Sequence, residues 1–347
     1  MIISAELEDE KIIVKKPKDV GRLYNKSHMG KTLSGGMLEL DLIESVFLLD
    51  EKKIKVFHDK KEIDFETLVK IASEKIDDFE RKYLVFKDLR KRGQIVKFNK
   101  EKDGFDFYQF QTKKSEKMFY VCVFSEQDLF EIRKTHDLLG KLLDDSVLWF
   151  AIVDEEGDIT YYSVSHVELA GKNKCNSFKK IEGFVLDDKV LIFDEEKSKE
   201  LFEKEFFGKP FGSFLQLSFV EVLYLLEKKY INLREKEKKI SKDKFLKYAQ
   251  KKQSDISSRL EVFKDLKKKG LIVKTGFKFG THFRAYTKHP NDIHAEYLIH
   301  VIDKHFSSLW AEFSRAVRLA HSVNKEIIFS RNLKNKVEYV CFGRLRP

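Results

Sequence analysis

VFKDLRKRGQIVK, at Val85–Lys97, occurs a second time as VFKDLKKKGLIVK at Val262–Lys274, 177 positions further on. When the comparison is widened to Tyr83–Lys97 against Leu260–Lys274, ten of fifteen positions are identical. A repeat at this distance is too long for a solenoid, whose units span about 20–50 residues. The pattern instead indicates that a whole module was duplicated within one chain.

A second pair of blocks has nearly the same spacing. GKTLSGGMLELDLIESVFLLDEKKI (Gly30–Ile54) aligns with GKPFGSFLQLSFVEVLYLLEKKYI (Gly208–Ile231), with one residue of length difference. Chance similarity does not persist in the same order across two separated blocks. We therefore predict two copies of the module, here called repeat 1 and repeat 2.

Each repeat is predicted to have two parts. The first contains a strand (KIIVKK, KVLIFD), a helix (KSKELFEKEFFGK), a turn (GKPFGS) and a second, apolar helix (SFVEVLYLLEKK). Charged helical segments, with Gly270 suited to a helix C-cap, lead into the second part. There, short strands surround an amphipathic helix whose apolar face comprises Phe306, Leu309, Trp310, Phe313 and Val317. The predicted fold class is α/β (mixed α+β), a tandem duplication of a two-part module with a small N-terminal α/β part and a mixed-sheet C-terminal part.

Composition limits the class of protein. The chain has 347 residues, 42% of them hydrophobic and 13% aromatic, which is typical of a folded protein rather than a disordered one. Apolar runs such as Val147–Val153 are far shorter than the roughly 20 residues of a membrane span, and the N-terminus lacks a signal-peptide pattern. We expect a cytoplasmic protein without a membrane anchor. The three cysteines, Cys122, Cys175 and Cys341, form no CxxC motif, so we expect neither a structural zinc site nor a disulfide framework.

Charge is distributed unequally between the repeats. The net charge of the chain is +10. Residues 79–170 contain 15 Lys and Arg against 17 Asp and Glu, whereas residues 256–347 contain 18 against 8. Clustered basic residues favour a phosphate backbone through counterion release. Repeat 2 is therefore the copy that we expect to bind a polyanion, unless the difference is drift of solvated surface charge.

Histidines and basic residues concentrate in the C-terminal part of repeat 2. Six of the ten histidines lie between His282 and His321, within THFRAYTKHPNDIHAEYLIHV and the later RLAHSVNKEIIF. These two stretches, together with GKPxGxxLxLSxVExxYLLEK earlier in the chain, resemble the archaeal tRNA-splicing endonucleases. The resemblance covers essentially the whole chain and is to the two-repeat branch of that family, which assembles as a homodimer.

The resemblance implies a catalytic trio of Tyr286, His294 and Lys325, with no cofactor and no metal. RNA cleavage of this kind needs a base for the 2′-hydroxyl, an acid for the departing 5′-oxygen and a cation for the charge on the phosphate oxygens. By analogy Tyr286 is the base, His294 the acid and Lys325 the cation. Tyrosine is a weak base at neutral pH, and a nearby cation would favour the phenolate that this role requires. The implied substrate is precursor tRNA with a bulge–helix–bulge fold, and the implied products are a 2′,3′-cyclic phosphate and a 5′-hydroxyl.

Repeat 1 provides an internal comparison. Aligning its segments with those of repeat 2 places Phe110 opposite Tyr286, Glu116 opposite His294 and Val147 opposite Lys325. None of these three side chains can perform the role of its counterpart. We predict an inactive nuclease-like part at 79–170 and a catalytic part at 256–347, preceded by N-terminal parts at 1–78 and 171–255.

Two further features follow from the resemblance. A pair of arginines in the family sandwiches a flipped bulge base, and the matching positions are Arg318 and Arg344, with Arg315 and Arg346 as close alternatives. The family also docks an acidic loop of its structural unit onto a basic cleft across the assembly. The matching residues here are Asp154, Glu155, Glu156 and Asp158, in DEEGD, although a solvated hairpin turn explains the same pattern.

Two other functions compete with a tRNA-splicing endoribonuclease of the RNA-cleaving lyase type. One is a non-catalytic RNA-binding subunit, which would require a broken trio. The other is a metal-dependent nuclease, which needs paired carboxylates and a lysine around a divalent ion. Asp292 and Glu296 lie near the trio in sequence, but no carboxylate–x–Lys strand motif accompanies them.

Overall fold

The computed structural model describes residues 2–8, 11–101, 103–109, 118–143, 145–173, 180–290, 294–321, 325–333 and 336–347. The chain divides into two compact units. Unit 1 comprises 1–128, 138–163 and 345–347, and unit 2 comprises 129–137 and 164–344.

Unit 1 contains most of repeat 1. Its first strands are β1 (Ile3–Glu8), β2 (Lys11–Val14), β3 (Lys31–Thr32), β4 (Leu38–Leu40), β5 (Ile54–His58), β6 (Lys61–Ile63), β7 (Val96–Phe98), β8 (Phe107–Gln109) and β9 (Phe119–Ser125). Its helices are α1 (Pro17–Gly21), continued by a π-helical turn at Arg22–Lys26, α2 (Leu42–Asp50), α3 (Phe65–Lys75) and α4 (Phe79–Lys91), with a short 3₁₀ segment at Ser34–Gly36. Next come β10 (Leu129–Glu131) and most of α5 (Ile132–Leu139), which lie in unit 2, and then β11 (Val147–Val153) and β12 (Ile159–His166).

Unit 2 contains repeat 2 except for its last three residues. Its further strands are β13 (Ile181–Leu186), β14 (Lys189–Ile192), β15 (Lys209–Phe211), β16 (Phe214–Leu217), β17 (Ile231–Glu235), β18 (Lys238–Ile240), β19 (Ile272–Thr275), β20 (Phe283–Tyr286), β21 (Tyr297–Ile302), β22 (Ser307–Leu309), β23 (Ile327–Leu333) and β24 (Lys336–Leu345, whose last residue falls in unit 1). Its helices are α6 (Glu195–Glu203), α7 (Phe219–Glu227), α8 (Lys242–Lys252), α9 (Ile256–Lys268) and α10 (Trp310–His321), with a 3₁₀ turn at Phe277–Phe279.

The sheets confirm the duplication. The N-terminal part of repeat 1 has six strands in the order β3-β4-β2-β1-β5-β6, and that of repeat 2 has β15-β16-β14-β13-β17-β18. In both sheets the fourth and fifth strands, β1 with β5 and β13 with β17, are parallel. The C-terminal parts also match, since β7-β8-β9-β11-β12 in unit 1 corresponds to β19-β20-β21-β23-β24 in unit 2. The fold is mixed α/β, as predicted.

Local sequence explains where the apolar helices begin. Asp41 caps α2 by accepting a hydrogen bond from the Glu44 backbone N–H at 2.9 Å, while Glu44 reaches back to the Asp41 N–H at 3.3 Å. Ser218 and Glu221 form the corresponding capping box of α7. Such boxes satisfy backbone donors that the first helical turn leaves unpaired. Gly270, with φ +77°, follows the C-cap of α9 as predicted.

The aspartate of the repeated VFKDL phrase connects α4 to β12 in repeat 1 and α9 to β24 in repeat 2. The Tyr161 hydroxyl donates to the Asp88 carboxylate at 2.8 Å, and the Tyr339 hydroxyl donates to the Asp265 carboxylate at 2.7 Å. Both aspartates are the D of VFKDL. The phrase is therefore a structural element of the fold that both copies retain.

The final lysine of each repeated stretch holds the N-terminal part against the C-terminal part. Lys97 Nζ donates to the Gly30 carbonyl at 3.1 Å and pairs with the buried Glu44 at 2.6 Å. In repeat 2, Lys274 Nζ donates to the Gly208 carbonyl at 3.0 Å. The two parts of a repeat are thus joined by polar contacts as well as by apolar packing.

Each unit has its own apolar core, in which equivalent aromatic pairs meet. Phe47 and Phe86 pack edge to face at 5.6 Å in unit 1, and Tyr224 and Phe263 do so at 5.5 Å in unit 2. Within the described part of the chain, no helix combines the length and apolar character needed to cross a membrane.

The structure corrects three details of the sequence analysis. GKPFGS is not wholly a turn, because Lys209–Phe211 forms the edge strand β15 before the turn. The amphipathic helix α10 begins at Trp310, so Phe306 and Leu309 precede it, and Leu309 ends strand β22. The N-terminal part of each repeat has six strands where the sequence indicated one, because several strands are only two or three residues long.

Candidate active site

The predicted trio lies at one end of the sheet in unit 2. Tyr286 is the last residue of β20, His294 comes three residues before β21, and Lys325 comes two residues before β23. Strand β21 is antiparallel to β20 and parallel to β23. The C-terminal end of β20 and the N-terminal ends of β21 and β23 therefore share one edge of the sheet.

Ala295 connects the three residues. The Lys325 ammonium donates a hydrogen bond to the Ala295 carbonyl oxygen. The Ala295 side chain packs in a small buried cluster with Tyr286 and Ile272. His294 immediately precedes Ala295 in the chain. A contact to this one alanine thus brings the phenol, the imidazole and the ammonium into the same neighbourhood.

The three side chains differ in their exposure. Tyr286 is only 5% exposed, so its ring orientation is fixed by packing. The Arg284 guanidinium lies 5.9 Å from the centre of that ring and adds a positive charge beside it. His294 is exposed, and Lys325 is partly buried. The phenol is held in place by packing, the ammonium by a hydrogen bond, and the imidazole is accessible. This arrangement suits proton transfer around a phosphate.

The two predicted RNA-binding arginines lie at the same end of the sheet. Arg318 is exposed in the last turn of α10, and the Lys325 backbone N–H donates to the Ala320 carbonyl of that turn at 3.1 Å. Arg344 is exposed near the end of β24, two residues beyond Phe342, which pairs with Ile327 at the start of β23. Arg315, one turn earlier in α10, is exposed too.

A basic cleft of about 420 Å³ lies in unit 2 between its two parts. Its lining includes four basic side chains and one carboxylate, namely Lys189, Lys209, Arg259, Lys274 and Glu221. Burial lowers the pKa of Lys274. The corresponding cleft of unit 1, about 680 Å³, is lined by four lysines and five carboxylates, the latter being Glu39, Asp41, Asp77, Glu101 and Asp106. The charge difference between the repeats therefore extends to their clefts.

The acidic residues form an exposed hairpin turn between β11 and β12 in unit 1. Asp154, Glu155, Glu156 and Asp158 are all exposed. The Asp154 carboxylate accepts hydrogen bonds from the Glu156 and Asp158 backbone N–H groups at 3.0 and 2.8 Å, which fixes the turn. Gly157 has φ +83°, a conformation that glycine adopts readily. Of the other hairpin carboxylates, that of Glu155 accepts a hydrogen bond from the Gln127 side-chain amide at 3.2 Å.

The comparison with repeat 1 needs one correction. The strand ladders place Leu148 opposite Tyr120 and Ile327 opposite Leu298, so Ser146 rather than Val147 is the counterpart of Lys325. The sequence alignment started from the last strands, ITYYSV and VEYVCF, and ran towards the N-terminus; it shifted because the acidic hairpin of repeat 1 is one residue longer than its equivalent. Serine cannot supply a cation either. The other two predicted counterparts, Phe110 and Glu116, lie outside the described residues.

Sequence reasoning missed two neighbours of Tyr286, namely Arg284 and Phe206. Arg284 lies two residues earlier on the same strand, so the period of a strand could have identified it. Phe206 comes from the N-terminal part of repeat 2 and packs against the cluster of Ile272, Tyr286 and Ala295. No local pattern links it to the trio. Of the two carboxylates considered for a metal, Asp292 lies outside the described residues, and Glu296 accepts a hydrogen bond from the Thr287 backbone N–H at 2.9 Å.

Comparison with known proteins identifies the family. A family model described as the tRNA intron endonuclease catalytic C-terminal domain matches residues 256–339, and one described as the N-terminal domain matches twice, at 3–69 and 181–246. The double match agrees with the duplicated sheets.

Relatives named tRNA-splicing endonuclease align along the whole chain. One from Methanococcoides burtonii is 39% identical over 99% of both chains, and one from Methanosarcina acetivorans is 33% identical over 99% of this chain and 100% of its own. A shorter relative from Methanococcus maripaludis is 37% identical over 48% of this chain but 96% of its own, so it corresponds to about one repeat. The chain therefore belongs to the tRNA intron endonuclease family.

Proposed function

We propose that this protein cuts precursor tRNA at bulge–helix–bulge splice sites without a metal ion. In the proposed reaction the 2′-hydroxyl attacks the adjacent phosphorus, and the bond from phosphorus to the 5′-oxygen breaks. The products are a 2′,3′-cyclic phosphate and a 5′-hydroxyl. The observation that carries the proposal is the convergence of Tyr286, His294 and Lys325 around Ala295 at one end of the sheet.

Each member of the trio has a distinct role in this reaction. Tyr286 accepts the proton of the 2′-hydroxyl, and the Arg284 guanidinium lies 5.9 Å from the centre of its ring. His294 donates a proton to the departing 5′-oxygen. Lys325 stabilises the negative charge that develops on the non-bridging phosphate oxygens. The exposure of His294 supports its role, because the leaving strand must reach it.

RNA recognition is assigned to the basic surface of repeat 2. We place a flipped bulge base between Arg318 and Arg344, both exposed at the end of the sheet that carries the trio. Guanidinium groups stack on bases and also attract the phosphates on either side. The net charge of +10 over residues 256–347 supports this assignment.

We further propose that two copies form a homodimer in which the acidic hairpin of one occupies the basic cleft of the other. The hairpin has four exposed carboxylates, and the cleft of unit 2 has four basic side chains and one carboxylate, so their charges are complementary. Neutralising all four hairpin acids to amides should weaken the dimer in sedimentation velocity. The control neutralises Asp59 and Glu62, two exposed acids of the hairpin formed by β5 and β6, and should leave the dimer intact. An unchanged dimer in the first variant would contradict the docking.

The proposal assigns different roles to the parts of the two repeats. Residues 79–170 are the inactive nuclease-like part, residues 256–347 the catalytic part, and 1–78 and 171–255 the N-terminal parts. The protein is expected to work in the cytoplasm. Changing Ser146, the counterpart of Lys325, should leave cleavage unaltered because repeat 1 performs no chemistry.

The alternative is a non-catalytic RNA-binding subunit of a splicing endonuclease. The two functions are separated by incubating the purified protein alone with an intron-containing precursor tRNA. Cleavage by the wild type and its loss in Tyr286→Phe, with RNA binding retained in both, support the enzyme. Binding without cleavage by the wild type would support the structural subunit.

A further inference from the structure

The segment between α6 and β15 carries a residue with unusual backbone geometry. Phe206 has φ +62°, in the left-handed region that bulky side chains rarely adopt. Such strain persists only where the surrounding structure imposes it, and it often marks a functional position. The KSKELFEKEFFGK stretch was predicted to be helical throughout, but α6 ends at Glu203, before this residue.

The backbone on the C-terminal side of Phe206 is held on several sides. The Phe207 N–H donates to the Leu201 carbonyl at 3.0 Å, and the Phe207 ring is buried with the Lys267 ammonium 4.8 Å from its centre. The Gly208 N–H donates to the Glu221 carboxylate at 2.7 Å. The Gly208 carbonyl accepts from Lys274, as described above. A rigid support of this kind can present the Phe206 side chain in one fixed direction.

The Phe206 side chain lies beside residues of the candidate active site. Phe206 packs against the buried cluster of Ile272, Tyr286 and Ala295. Its ring also meets the His289 ring edge to face, with centres 5.0 Å apart. Ala295 in turn accepts the hydrogen bond from Lys325. One phenyl ring from the N-terminal part of repeat 2 thus packs against the cluster that contains Tyr286 and the alanine on which the trio converges.

The equivalent segment of repeat 1 has the same left-handed backbone conformation but a different side chain. His28 occupies the equivalent place and has φ +52°, followed by the buried Met29 and by Gly30. Gly30 is held by Glu44 and Lys97 through the same hydrogen bonds that hold Gly208. The left-handed residue therefore belongs to the scaffold of both copies. What distinguishes repeat 2 is that this position carries a phenyl ring, which packs against the cluster containing Tyr286.

We infer that Phe206 is a positioning residue for Tyr286. Its ring forms the wall that fixes the phenol beside His294 and Lys325, and the N-terminal part of repeat 2 thereby contributes to the chemistry of the C-terminal part. The inference rests on the proposed role of Tyr286 as the base. A small displacement of a catalytic group has a large effect on rate, so the ring should matter for cleavage much more than for RNA binding.

The test compares Phe206→Ala with Phe211→Ala, a control at an exposed phenylalanine of the adjacent strand β15. Single-turnover cleavage is measured at saturating enzyme, and RNA binding is measured with a substrate that carries a 2′-deoxy residue at the cut site. We expect Phe206→Ala to slow cleavage by about 10- to 100-fold, with binding changed less than about threefold. Phe211→Ala should do neither, and Phe206→Tyr should restore most of the rate.

A double-mutant cycle shows whether Phe206 acts through Tyr286. If it does, Phe206→Ala combined with Tyr286→Phe should be no slower than Tyr286→Phe alone. The inference is overturned if the losses of the two variants are additive. It is also overturned if Phe206→Ala cleaves at a normal rate while Tyr286→Phe is slow. In either case the proposed function stands. A normal rate in Tyr286→Phe removes the tyrosine from the mechanism and the inference with it. Should Phe206→Ala unfold, Phe206→Leu is judged by the same criteria.

Discussion

Replacing Lys325 by methionine removes the ammonium of the candidate active site and keeps most of its aliphatic stem. The structure predicts two separate effects. The Ala295 carbonyl loses its hydrogen-bond donor, which should lower the free energy of unfolding by about 1 kcal/mol. The developing phosphate charge loses its cation, which should slow cleavage by about 10²- to 10³-fold, or about 2.7–4 kcal/mol. The rate should therefore fall far more than stability does.

The assay is single-turnover cleavage of an intron-containing precursor tRNA at saturating enzyme, with stability followed by chemical denaturation. Lys288→Met is the matched control, since Lys288 is an exposed lysine two residues after Tyr286. Both variants lose one positive charge near the site, so both should bind RNA somewhat more weakly. Only Lys325→Met should cleave slowly once bound. If its rate lies within about threefold of the Lys288→Met rate, Lys325 is not the stabilising cation.

Three other predictions follow from the same geometry. His294→Ala should slow cleavage by about 10²- to 10⁴-fold while leaving stability nearly unchanged, because the side chain is exposed; a normal rate would remove His294 as the acid. Arg318→Ala and Arg344→Ala should each weaken binding of a bulged RNA by about 5- to 30-fold, whereas Arg315→Ala should not; equal effects at all three would refute the assignment. Burial lowers the pKa of His282 to about 4 from an ordinary 6.5, so the unfolded chain takes up a proton first as the pH falls. Stability should then drop between pH 6.5 and 4, by up to about 2 kcal/mol at pH 5, and His282→Gln should flatten that part of the profile measured by denaturant titration.

The duplication could be predicted from sequence because its strongest signal lies at residues with fixed structural partners. Asp88 and Asp265 each bind the tyrosine of the last strand, and both copies keep this contact although their surfaces have opposite charges. Helix α7 was recognisable from its apolar pattern, and α9 was predicted among the charged helical segments that lead to Gly270. Short edge strands were not, since Lys238–Ile240 presents only exposed or half-exposed side chains and has no apolar alternation.

The site was predictable only in part. Tyr286, His294 and Lys325 were identified through resemblance to a family, and the strand topology supplies a physical reason for their proximity. The predicted counterpart of Lys325 was wrong by one residue. The alignment was extended from the last strand across a hairpin, and sequence alone did not show that the turn of repeat 1 has an extra residue. Phe206 could not have been found, because it packs against the cluster of Tyr286 although the two residues are 80 positions apart in the sequence.

The central claim is that the trio cleaves RNA by attack of the 2′-hydroxyl without a metal ion. The most direct test incubates the wild-type protein with an intron-containing precursor tRNA in EDTA and determines the chemistry of the new ends. The account predicts cleavage at both splice sites, with 2′,3′-cyclic phosphate and 5′-hydroxyl ends. Cleavage that stops in EDTA and returns with Mg²⁺, or products with 5′-phosphate ends, would contradict it.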